Sequence, residues 1–154
     1  MEGVLNQRLC GGIKRIVVLP IGGLAVSRNN GVLSVGLPSS AVETCPEEGE
    51  AQCREERVVR EGVGRIEHTL EFVVAFDHPM LPLLAASEEG LAAVVTLASG
   101  DSILLGYSSK FGVERPLRVE QMARVSGLCR ADDAECKIRL WSEDSTFSEC
   151  VNLL

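Results

Sequence analysis

The chain is poor in aromatic side chains, with one Trp, one Tyr and four Phe among 154 residues. Its core therefore has to be built from Val, Leu, Ile and Ala. It also has no excess of positive charge: fifteen Lys and Arg stand against twenty-two Asp and Glu, for a net charge of −7. Phosphate recognition needs clustered cations, and the basic residues here are scattered singly, so nucleic acid is not an expected partner. No apolar run is long enough to span a bilayer. The longest, Ile16 to Val26, is broken by Pro20 and Gly22-Gly23. Lys14 and Arg15 give that run the outline of a leader, but Pro20, the two glycines and Glu2 favour a buried strand and a turn. A membrane partner is not expected, and the expected location is the cytoplasm.

Recognisable chemistry is also sparse. There is no G-x-S-x-G, P-loop, dinucleotide fingerprint, H-E-x-x-H or EF-hand pattern. Two histidines are present, His68 and His78. His68 falls on the apolar face of an alternating segment and reads as a core imidazole with one hydrogen bond. Asp77 beside His78 reads as a helix cap. Asp132, Asp133 and Glu135 read as a solvated tip. No catalytic residue, metal site or cofactor is expected. If a site exists without a local motif, His68 with Glu67 or Asp77 is the first place to look.

What is present is an ordinary globular composition, 45% apolar and 24% charged, which with 154 residues fits one domain over residues 1–154. Segments 13–19, 32–35, 92–98, 102–107, 117–125 and 136–141 read as strands. Asn30-Gly31 and Ser99-Gly100-Asp101 mark hairpin turns. The clearest pattern lies in RIEHTLEFVV. Ile66, His68, Leu70, Phe72 and Val74 share one face; Arg65, Glu67, Thr69 and Glu71 share the other. Period two with one wet face is the mark of an antiparallel strand. Gly62 and Gly64 upstream suggest a bend or bulge. Residues 79–89 read as one short helix ended by Gly90. The expected fold is mainly β, or α+β: a small antiparallel barrel or sandwich with one short helix. A βαβ unit over 66–98 is the alternative at that point.

Residues 39–55 read as one long acidic loop holding Glu43, Glu47, Glu48, Glu50 and Glu55. A loop of that length in a compact domain is often functional, and these five carboxylates are its candidate interaction residues. The six cysteines have no C-x-x-C spacing, which argues against a zinc ribbon or a redox motif. Cys45 and Cys53 bracket one acidic stretch, Cys129 and Cys136 another. Across hairpins such pairs would lie within disulfide range. Cys10 and Cys150 would then be left to pair near the termini. Six free thiols are the competing state.

The segment RIEHTLEFVVAFDHPMLPLLAASEEGLAAVVTLASGDSILLGYS, within residues 65–108, resembles small phage or prophage tail and virion-assembly proteins. The likeness lies in a long strand, a short helix, a Val-rich strand, a tight Gly turn and a closing strand. It implies a homo-oligomeric structural role, with the protein itself or other assembly proteins as partners and the virion as location. The expected function is thus a non-enzymatic structural or interaction protein that self-associates. The alternatives are a small β-barrel binding module for an apolar ligand and an enzyme without a local motif.

Overall fold

The structure is a computed structural model and describes residues 12–108, 110–126 and 134–153. Among these residues eleven strands form two sheets. In chain order they are β1 Ile13–Pro20, β2 Ala25–Asn29, β3 Val32–Gly36, β4 Val42–Thr44, β5 Ala51–Arg60, β6 Val63–Ala75, β7 Leu91–Leu97, β8 Ser102–Leu105, β9 Arg118–Val125, β10 Glu135–Asp144 and β11 Glu149–Leu153; the short helix α1, Met80–Ala85, lies between β6 and β7. The seven-stranded sheet has the order β2-β3-β11-β8-β7-β1-β4, and the four-stranded sheet has the order β5-β6-β10-β9. The sheets form a sandwich and do not close into a barrel.

The expected hairpin at Asn30-Gly31 is present between β2 and β3. Asn30 and Gly31 both have positive φ, 53° and 78°, as a two-residue turn that follows the strand twist requires. A second turn of this kind joins β5 to β6. There Glu61 and Gly62 have φ of 53° and 77°, so Gly62 serves a tight turn, and the bulge expected at Gly62 and Gly64 is absent from the continuous β5–β6 register. Among the described residues every strand pair is antiparallel except β3–β11. The βαβ alternative at 66–98 does not occur, because β6 and β7 belong to different sheets and α1 is part of the connection between them.

The alternation of residues 65–74 holds. Ile66, His68, Leu70, Phe72 and Val74 are buried on β6, and β10 matches them with buried Cys136, Ile138, Leu140, Ser142 and Asp144. Ile16, Val18, Ala93 and Val95 complete the core between the sheets. The intervening residues Val17, Leu19, Ala92 and Val94 pack on the opposite side, with Leu33, Val35 and Val151. These partners belong to the same seven-stranded sheet, so that sheet curls onto itself and makes a second core. Burial on both faces explains why β1 and β7 read as continuous apolar runs. Each fully buried Leu or Ile contributes roughly 2 kcal/mol.

The reading of 39–55 as one loop is corrected. β4 and the first half of β5 occupy much of it, and only residues 45–50 cross as a loop from one sheet to the other. The chain crosses between sheets again at 76–90, 106–117 and 145–148. Among the described residues no helix is long and apolar enough to cross a membrane.

Candidate functional site

The inner face of the four-stranded sheet changes character along its length. From Leu70 to Val74 and from Cys136 to Leu140 it is apolar. One step further along, β6 offers His68 and β10 offers Ser142 and Asp144, all buried; β5 adds Glu55, opposite His68 in the register. A side chain at an inward position on a strand points inward whether apolar or polar, so this end is lined by polar groups with buried Ile66 among them.

His68 is 2% exposed. Its Nε2 lies 3.1 Å from the Thr146 carbonyl oxygen. A carbonyl only accepts, so Nε2 carries the hydrogen. Nδ1 has no hydrogen-bond partner and lies 3.8 Å from Glu55 Oε1. The same Glu55 oxygen accepts the Ser148 N–H at 3.0 Å. Asp144 Oδ1 accepts the Ser145 N–H, and also the Ser108 hydroxyl at 2.8 Å. The Ser108 hydroxyl in turn accepts the N–H groups of Lys110 and Phe111. The crossovers at 106–117 and 145–148 are therefore strapped to the sheet by His68, Glu55 and Asp144.

Chemically this cluster holds loops. Ser108 donates to Asp144, so the arrangement is not that of a nucleophile activated by an imidazole. The partner of His68 is Glu55. Glu67 lies on the wet face, 3.3 Å from Arg60, and Asp77 lies at the other end of β6. Sequence reasoning named Glu55 only as part of a loop, and the signal that would have placed it is the β5 register.

The five acidic candidates separate. Glu43 is on β4 beside Arg15 (2.9 Å), whose hydrogen bond holds the Glu43 carboxyl below its usual range. Glu47 and Glu50 line a shallow cleft with Asp77, His78 and Glu135, Glu48 shares their turn, and Glu55 faces His68. They do not form one arm. At the start of α1 no side-chain oxygen caps the helix; His78 Nδ1 accepts the Met80 N–H at 3.1 Å instead, so the capping expected of Asp77 is carried by its neighbour.

Cys45, Cys53, Cys136 and Cys150 are free thiols. The Cys45–Cys53 disulfide is corrected for a topological reason: Cys45 follows β4 of one sheet, and Cys53 lies within β5 of the other, so they do not face each other across a hairpin. Cys10 and Cys129, and with them the two remaining pairings, lie outside the described residues, as do Asp132 and Asp133. Burial, with Glu55 adding to it, pushes the Cys53 thiol up to about 12. Among the described residues no three His, Cys, Asp or Glu side chains are grouped to hold a metal ion.

A second feature lies at the opposite end of the sheet. Between α1 and β9 is a cleft of about 740 Å³ lined by Leu81, Pro82, Ala85, Met122, Arg124 and Cys136, with Asp77, His78 and Pro79 completing it. No family model matches the chain, no curated protein matches it, and no solved structure matches it.

Proposed function

We propose that the protein is a non-enzymatic interaction protein that associates with a second copy of itself. The observation that carries this reading is a set of exposed apolar side chains around one end of the four-stranded sheet, on both faces of the β5–β6 hairpin tip. Val59, Val63, Val113 and Phe147 are each more than half exposed. Their placement at one end follows from the contacts there. β10 ends at Asp144, opposite Ile66; Ser148 bonds Glu55; Arg65 and Arg115 both reach Glu143. The tip of the β5–β6 hairpin runs three residues past its last β10 partner, roughly 10 Å of projecting ribbon.

A charged surface that meets itself across a two-fold axis is self-complementary when it presents both signs of charge. Here Arg57, Arg60 and Arg65 stand among Glu56, Glu61 and Glu67, which supports a second copy as the partner. The open edges of the sheet support the hairpin tip over edge-to-edge pairing, since β5 is heavily charged and β9 carries an irregularity beside Glu120. A virion or tail assembly is the setting that the resemblance of residues 65–108 implies. A ring would require a further, heterologous contact in addition to a two-fold one.

Light scattering on chromatographed protein tests this reading. A dimer or larger species is expected at about 100 μM, with dissociation in the Val59→Glu/Val63→Glu variant. A wild-type monomer at that concentration would overturn it.

A further inference from the structure

We propose that the cleft between α1 and β9 binds a small amphiphile, an apolar body carrying one anionic head such as a carboxylate.

The cleft arises where the sandwich opens along its β9 side. β9 is the edge of its sheet. In the register Met122 lies opposite Ile138 and Arg124 opposite Cys136. Both therefore stand on the inner face, the face that forms the core elsewhere. Ile138 and Cys136 are buried, yet Met122 is 41% exposed. Among the described residues no strand of the other sheet lines the cleft over it, and α1 forms the opposite wall. That wall is fixed, because Met80 and Leu84 are buried in the inter-sheet core while Leu81, Pro82 and Ala85 line the cleft.

The resulting volume of about 740 Å³ is of the size that takes a small molecule. Its body is apolar: Leu, Pro, Ala and Met side chains over a cysteine floor. Burial pushes the Cys136 thiol up, so the floor stays uncharged. The sign of the head is set by Arg124, the charge whose field reaches that thiol. His78 accepts the Met80 N–H through Nδ1, so its Nε2 is a second donor at the cleft. Asp77 is the opposing charge, and β10 lies between its end of β6 and Arg124 on β9. A linear carboxylate laid along α1 thus meets Leu81, Ala85 and Met122 with its chain and the guanidinium with its head.

Sodium decanoate, with decanol and decyltrimethylammonium as matched probes, tests the proposal on protein labelled at the methionine methyl groups. The chain has three methionines. Met122 is in the cleft and Met80 is buried in the core, so Met80 serves as an internal reference. Decanoate is expected to shift the Met122 methyl saturably while leaving Met80 in place. Ala85→Trp, which fills the cleft from its α1 wall, is expected to weaken binding at least roughly tenfold. Arg124→Gln is expected to remove the preference for decanoate over decanol. The proposal is overturned by an unmoved Met122 at about 1 mM decanoate, by unchanged binding in Ala85→Trp, or by decyltrimethylammonium binding as well as decanoate. It is also overturned if raising protein concentration alone shifts Met122 and excludes decanoate, which would make a second copy the occupant.

Discussion

The two ends of the four-stranded sheet are held by different forces. At the α1 end the inner face is Leu70, Phe72, Val74, Ile138 and Leu140, and cohesion comes from non-directional burial. At the hairpin end Glu55, His68, Ser142 and Asp144 join buried Ile66 on that face, and hydrogen bonds of Glu55, His68 and Asp144, each needing a particular partner, add to burial. The apolar end tolerates an open side and leaves a cleft there. The polar end fixes two crossovers in place and leaves apolar residues such as Phe147 and Val113 facing solvent around them. Both candidate surfaces follow from this split.

Substitutions that act on one end and spare the other sharpen the comparison. Leu140→Ala opens a cavity at the apolar end, and a loss of about 3 kcal/mol in denaturant unfolding is expected. Asp144→Ala strands the Ser108 hydroxyl and the Ser145 N–H, with an expected loss of about 2 kcal/mol; Asp144→Asn keeps an acceptor at Oδ1 and should lose less. Equal losses for the two variants would break the hydrogen-bond account. His68→Leu removes the bond to Thr146 together with the orphan Nδ1, so a loss of about 1 kcal/mol is expected. Hydrogen exchange should show faster opening at residues 145–148, with β7 unchanged.

The smallest effect at neutral pH belongs to Cys53. In the unfolded chain a thiol ionises near its ordinary value of 9.0, and in the folded protein Cys53 does so at about 12. Between those values the folded state keeps a proton that the unfolded state has lost. Stability therefore falls as pH rises through that window, and is unaffected by this group below it. Cys53→Ala should flatten the fall. Alkylation mapped by mass spectrometry at pH 8 should modify Cys45, which is exposed, well before Cys53.

Local pattern was enough for much of the architecture. Period two from Arg65 to Val74, the apolar runs of β1 and β7, the Asn30-Gly31 turn and a short helix after Pro79 are all written into a few neighbouring residues, because strand pleat and turn conformation are local properties. β5 escaped such reading because its inward side chains, Ala51, Cys53, Glu55 and Arg57, run from the apolar end to the polar one and show no apolar alternation. Tertiary structure alone decided that Cys45 and Cys53 belong to different sheets, that Glu55 meets His68, and that α1 stands opposite Met122 and Arg124. Those placements depend on which strands pair across long stretches of chain. That choice is set by the burial of whole sheet faces against each other, and no short window of sequence contains it.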